Sequence, residues 1–265
     1  MTATTATSTT WLGQRLLALA KPTAFILLGL LLWEAIVAFG LVPRYALAAP
    51  TQVASYMARN PLLLFTHLQT TLGEVLLAFV ISMTAGVIVG VLITQFRVLE
   101  EGVMPLLVFL QVIPVIALAP LLVLLLGFGI WPKVAVATLI SFLPVVINTI
   151  TGMKSLPTEV ADLAAVLRAN KLQTLWMFSL PNALPTILAG ARIAVGLCVI
   201  GAVVGEFITS ESGLGYLVLA GTAALDPAQV FAAIVTLAFL GIALFAAVGA
   251  LNWLLLPWAR RRVNS

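Results

Sequence analysis

Glu159, Asp162, Arg168 and Lys171 share the stretch 157–185, PTEVADLAAVLRANKLQTLWMFSLPNALP, the one long interval of this chain that joins charge to helical periodicity. Charged groups set along one side of an amphipathic helix suit recognition of another macromolecule better than bond breaking. The rest of the chain offers catalysis little. It holds a single His, His67, and a single Cys, Cys198. With only scattered carboxylates beside them, neither a catalytic constellation nor a metal cluster can be assembled. No G-x-x-x-x-G-K-[ST] phosphate loop occurs, so the chain is not expected to hydrolyse ATP by itself. Glu34, Glu74, Arg192 and Glu206 lie within or at the ends of apolar runs. A charge at mid-bilayer costs roughly 2.5–3.5 kcal/mol, so these four are expected to face protein or water or to reach an interface.

The elements that must position these residues are set by hydropathy. Of the 265 residues 62% are hydrophobic and 8% charged, against about 25% charged in soluble domains. Six runs approach the roughly 20 apolar residues that cross a bilayer as a helix, at 25–41, 72–94, 103–126, 134–153, 184–208 and 231–258. The short alternating segments of a β-barrel are absent from the sequence. The fold class is therefore an all-α polytopic membrane protein with about six transmembrane helices. The third run carries Pro105, Pro114 and Pro120 and reads as one kinked helix. Pro114 is a candidate to line a path, with simple packing the equal alternative. Gly86-x-x-x-Gly90 and Gly201-x-x-x-Gly205 permit close helix approach, within one subunit or between two.

Charge placement orients the chain. Arg15, Lys21, Arg97, Lys154, Arg168, Lys171, Arg260, Arg261 and Arg262 lie on one side of the six runs, and Arg44, Arg59 and Lys133 on the other. By the positive-inside rule both termini are cytoplasmic. The net charge of +4 follows from this topology and calls for membrane lipid, not nucleic acid. Residues 1–22 are expected to be a cytoplasmic tail and 23–265 the transmembrane domain. The first run itself would serve as the insertion signal. On the external side, 42–66 begins with prolines and reads as a short amphipathic surface helix, while Asp226 and Pro227 mark a turn before the sixth run. His67 and the Trp residues near the run ends read as interfacial.

Arg192 and Glu206 share the fifth run, about 21 Å apart along a helix, too far to pair with each other. Both are candidates for the pathway or its gates. Packing is an equal alternative for Arg192. A carboxylate in the path would disfavour an anionic solute and so argues for a neutral or zwitterionic one.

In the charged stretch, Val160, Leu163, Ala164 and Leu167 fall on one helical face, with Glu159, Asp162 and Arg168 on the other. Pro157 and the acidic first turn favour a helix start. Asn170 and Gln173 have the spacing of a capping box that opens a second short helix through Trp176 and Phe178, stopped by Pro181. Periodicity alone leaves open a segment that merely rests on lipid headgroups.

This stretch resembles the EAA loop of permease subunits of binding-protein-dependent ABC importers: EAA, three residues, Gly, then about nine residues to LP. Leu180 and Pro181 take the LP position, Asp162, Leu163 and Ala164 the EAA, and Arg168 the Gly. The following ANKLQTLW (169–176) is similar to the ASRWQTFW common in the family. Segments 114–133, 180–208 and 212–220 match as well, so the resemblance runs from about residue 70 onward. It is strongest to the nitrate/sulfonate/taurine branch, with its relatives for pyrimidine precursors and riboflavin.

The resemblance implies a type I importer permease fold and a coupling loop over about 155–181. Glu159, Asp162, Ala164, Arg168, Ala169 and Lys171 would touch a cytoplasmic ATPase subunit, present in two copies, with ATP and Mg on that partner and no cofactor here. A second permease copy or a paralogue would complete the pore, and an extracytoplasmic binding protein would deliver the solute. The place would be a bacterial inner membrane. Because Arg replaces Gly, the turn of the helix pair is expected at Asn170, which tolerates unusual dihedrals. The alternative from another class is an ion-coupled secondary transporter, which would show two related halves with interrupted helices; none is visible.

Overall fold

A computed structural model describes residues 9–43 and 45–256, and among them every regular element is helical. The order is α1 (Thr9–Ala38), α2 (Pro50–Arg59), α3 (Pro61–Gln95), α4 (Arg97–Val112), α5 (Val115–Leu126), α6 (Ile130–Lys154), α7 (Thr158–Val166), α8 (Lys171–Thr174), a π turn (Leu175–Ser179), α9 (Leu180–Thr209), α10 (Leu214–Ala223) and α11 (Pro227–Leu255). Helices α3, α6 and α11 are each long and apolar enough to cross a bilayer, as is the continuous stretch Lys171–Ile208; Thr23–Ala38 and α5 are shorter apolar helices. A lipid-exposed chain satisfies its backbone groups internally only as helix or closed barrel. Arg44, Trp258, Arg260, Arg261 and Arg262 lie outside the described residues, as do residues 1–8 of the expected tail. From Thr9 onward that segment is already helical and continuous with α1.

The chain divides into two compact units, 1–61 with 220–232 and 62–219 with 233–265. In the first, Glu34 of α1 accepts from the Thr51 hydroxyl at 2.8 Å and the Thr51 N–H at 3.2 Å. Tyr56 of α2 donates to Gln229 at 3.0 Å, and Trp33 lies 5.3 Å from Phe231, ring to ring. The expected surface helix is α2, and the expected turn is present: Asp226 Oδ1 accepts the N–H groups of Ala228 and Gln229 at the start of α11. Helix α2 and the Asp226 turn line an open polar recess of about 560 Å³ with Arg59, Asn60 and Tyr56 in its wall.

In the second unit α6 and α9 form the core pair, joined by α3. Both glycine motifs act inside the subunit. A Cβ on Gly86 would lie 2.7 Å from Val145 and one on Gly90 2.6 Å from Thr149, so α3 seats on α6. Gly201 and Gly205 of α9 seat on Ala137 and Lys133 of α6 in the same way. Such contacts gain dispersion energy where no water is available to be released.

Two expectations about proline need correction. The third run is not one kinked helix. It breaks at Ile113 and Pro114, both extended, into α4 and α5, while Pro105 and Pro120 sit inside those helices. Nor does Pro181 stop the second short helix. The Leu180 N–H bonds to the Leu175 carbonyl in the wider i→i+5 register, and the chain continues through Pro181 in the first turn of α9. A π turn opens the ladder where the proline ring and its missing N–H would otherwise break it.

Candidate functional site

Two polar sites stand out, an elbow between α6 and α9 and a buried cluster near the far end of α9. In the elbow, α7 ends in a full Schellman motif. The Ala169 N–H bonds to the Ala164 carbonyl at 3.0 Å and the Arg168 N–H to the Ala165 carbonyl at 2.9 Å. That motif needs a left-handed residue just past the helix end, a place glycine fills most readily. Arg168 fills it here, with φ +50°. The turn therefore falls at Arg168 and not at Asn170, whose φ of −74° and ψ of 167° are ordinary extended values. A side chain in this conformation costs about 1–2 kcal/mol.

The capping box is present as the spacing predicts. Asn170 Oδ1 accepts the Gln173 N–H at 2.8 Å and Gln173 Oε1 accepts the Asn170 N–H at 2.9 Å. These bonds open α8, a single turn that runs through the π turn into α9. Glu159, Asp162, Arg168 and Lys171 all point into solvent, Ala169 is half-buried, and Ala164 is buried against its own subunit. The apolar face is only partly used. Val160 is half-buried, but Leu163 is 51% exposed, Leu167 62% and Leu172 65%, and Val166 of the same helix is 80% exposed. On the same side of the molecule Glu100 of α4 pairs with Lys154, the last residue of α6.

The second site collects residues from α3, α6 and α9, the start of α10 and the loop before it. Glu206 of α9 is wholly buried. It accepts from the Thr71 hydroxyl at 2.6 Å and from the Gly215 N–H. Thr71 Oγ1 in turn accepts the Leu214 N–H at 2.8 Å, and His67 Nδ1 accepts the Gly213 N–H at 2.9 Å. Lys133 at the start of α6 pairs with Glu74 and donates to Ser210 at 3.0 Å. Glu206 is thus enclosed in this structure by the Thr71 side chain and the backbone of Gly213 and Gly215.

Sequence reasoning passed over Thr71, Glu74 and Lys133 as a group and read His67 as merely interfacial. The signal was there. His67, Thr71 and Glu74 follow i, i+4, i+7, one face of α3. Arg192 sits elsewhere, its guanidinium 5.8 Å from the ring centroid of Phe245 and beside Gly249, with no carboxylate in ion-pair range among the described residues. Packing against an aromatic face is its observed environment. Pro114 caps α5 at the break and is exposed.

Residues 82–261 match the family described as binding-protein-dependent transport system inner membrane component. The chain is 40% identical over 243 residues to the formylaminopyrimidine transport permease protein ThiX of Halalkalibacterium halodurans, covering 91% of this chain and 97% of that one. It is 37% identical to the riboflavin transport system permease protein RibX of Chloroflexus aurantiacus, over 91% of this chain and 90% of that one. A putative aliphatic sulfonates transport permease protein, SsuC of Bacillus subtilis, is 32% identical over 86% and 83% of the two chains. Among solved structures, the MetNI methionine ABC transporter in inward-facing conformations superposes with a TM-score of 0.66 at 19% identity, over 73% of this chain and 96% of that one. That likeness concerns the fold. The ion-coupled alternative is set aside by this kinship, and the chain belongs to the inner membrane components of binding-protein-dependent transport systems, as the multi-pass permease subunit of an ABC importer.

Proposed function

We propose that the elbow formed by α7 and α8 is the coupling element through which a cytoplasmic ATPase drives this permease. The observation that carries the reading is the apolar strip of Leu163, Val166, Leu167 and Leu172, left uncovered by the described residues and rimmed by Glu159, Asp162, Arg168 and Lys171. An uncovered apolar strip with a charged rim has the anatomy of a protein interface. Ala164 and Ala169 fix the turn beneath it. Two ATPase copies, carrying ATP and Mg, would grip two such elbows, one on this chain and one on a second copy or a paralogue. Both termini would lie in the cytoplasm of a bacterial cell, with this chain in the inner membrane. Its own contribution would be transport and no catalysis.

The polar recess lined by α2 and the Asp226 turn suits contact with an extracytoplasmic binding protein. The relatives named for formylaminopyrimidine and riboflavin support a small heteroaromatic solute over a sulfonate, because they share more identity over more of the chain. Pro114, at a helix break, Arg192 and Glu206 remain the candidates for the pathway or its gates.

The test is reconstitution in proteoliposomes with the ATPase and binding protein. Asp162→Lys should retain ATP hydrolysis while uptake falls about tenfold or more, the equivalent of one lost charged contact. Leu167→Asp should release the ATPase on gel filtration. Unchanged coupling and unchanged co-purification would reject the elbow as the docking element.

A further inference from the structure

The cluster around Glu206 contains one more anion than it can balance. Glu74 and Glu206 are both fully buried, and Lys133 is the one cation among the described residues that reaches them. The two carboxyls share one cluster: Thr71, one turn before Glu74 on α3, donates to Glu206, and Lys133, which pairs with Glu74, lies against Gly205 next to Glu206. Apart from Lys133, the Glu74 oxygens have no donor among the described residues. Two buried carboxylates that share one cation do not both stay ionised. One proton between them supplies the missing donor and leaves a single carboxylate opposite a single ammonium.

That carboxylate lies against the backbone of the segment 210–216. Three successive amides of the segment are each taken by a side chain: Gly213 by His67, Leu214 by Thr71 and Gly215 by Glu206. A Cβ on Gly213 would fall 2.0 Å from Glu206 Oε1 and one on Gly215 2.6 Å from Oε2, so side chains there would displace the carboxylate. The other charged and titratable groups of the cluster are Glu74 and His67 from α3 and Lys133 from α6; Thr71 bonds Glu206 itself, while His67 holds Gly213 and Lys133 holds Ser210. Tyr216 stacks on His67 at 5.8 Å.

We propose that Glu74 and Glu206 hold one proton in common and that this proton latches the segment 210–216 as a gate of the transport path, with Glu74 and Lys133 as its positioning residues. The proposal rests on the orientation given above, which puts this segment on the external side. Its sign follows from charge. With the proton present the cluster is neutral and the amides stay bound. Losing it as pH rises leaves two anions against one cation, and their repulsion frees the segment. The latch holds at low pH and loosens at high pH.

The test uses the assembled transporter in membrane vesicles, in a Cys198→Ala background. Leu214 is wholly buried and Glu211 exposed. Labelling of Leu214→Cys by a membrane-impermeant maleimide is divided at each pH by that of Glu211→Cys, which cancels the intrinsic reactivity of the thiol. The ratio should rise about tenfold between pH 6 and pH 9, the response of one titrating proton. Glu74→Gln, a fixed neutral partner, should keep it low and flat. Thr71→Val should raise it at every pH while leaving the pH response in place, a result that does not depend on recovery of the Glu74 variant. A flat ratio in the unmodified cluster, or an unchanged pH response in Glu74→Gln, would overturn the latch. Labelling of Glu211→Cys from the ATPase side alone would overturn the orientation instead, and the same ratio measured on that side would still decide the latch.

Discussion

Gly201 of α9 lies directly on Ala137 of α6: a Cβ at residue 201 would come within 2.4 Å of the Ala137 Cα and 3.1 Å of its Cβ. The two backbones touch there, and no rotamer change can make room. Gly152 of α6 meets Ala183 of α9 in the same manner at the other end of the pair, where its Cβ would lie 2.9 Å from the Ala183 carbonyl oxygen.

Gly201→Ala should therefore lower the melting temperature of the detergent-solubilised protein, by a loss of about 1–3 kcal/mol for an overfilled contact. Gly201→Leu should prevent accumulation in the membrane. Gly196→Ala is the control: nothing lies within 4 Å of its Cβ, so melting should be unchanged or slightly higher. Thermal gel filtration measures all three.

At Arg168 the prediction runs the other way. Glycine takes φ +50° without steric cost, so Arg168→Gly should stabilise the elbow by about 1 kcal/mol. The Ala169 amide, bonded to the Ala164 carbonyl, should exchange its hydrogen about fivefold more slowly. Arg168→Val should speed that exchange, because a branched side chain suits the left-handed region poorly.

The capping box gives a local reading of the same elbow. Asn170→Ala removes the acceptor for the Gln173 N–H and should cost about 1 kcal/mol. Faster exchange at Gln173 would report it, with helices α3 and α6 unaffected. Asn170→Asp keeps an acceptor at the N-terminus of the helix and should exchange like the parent.

Much of this could be read without coordinates where the information is local. Hydropathy placed the membrane helices, the Asn170 and Gln173 spacing gave the cap, and Asp226 with Pro227 gave the start of α11. Proline was a poorer guide. Pro105, Pro120, Pro144 and Pro185 are carried inside helices, whereas Pro114 marks a break within an apolar run. The difference depends on whether neighbouring helices shelter the freed carbonyls, which is a tertiary matter. Arg168 misled for a related reason: the Schellman bonds set the backbone, and the residue type only sets the cost. Glu206 was legible as a buried charge but not as a bonded one. Its partner Thr71 is 135 positions away, and no local pattern aligns α3 with α9.

The absence of a stop at Pro181 has a mechanical meaning. From Lys171 to Ile208 the chain is one uninterrupted rod of 38 residues, on the order of 57 Å at 1.5 Å per residue. Its foot is the elbow and its head carries Glu206. A tilt of a few degrees at the foot becomes a displacement of several ångströms at the head, enough to draw a carboxylate away from the amide it holds. The π turn near the foot keeps the helix continuous past Pro181, so on the proposed coupling a push at the elbow would arrive at Glu206 as leverage.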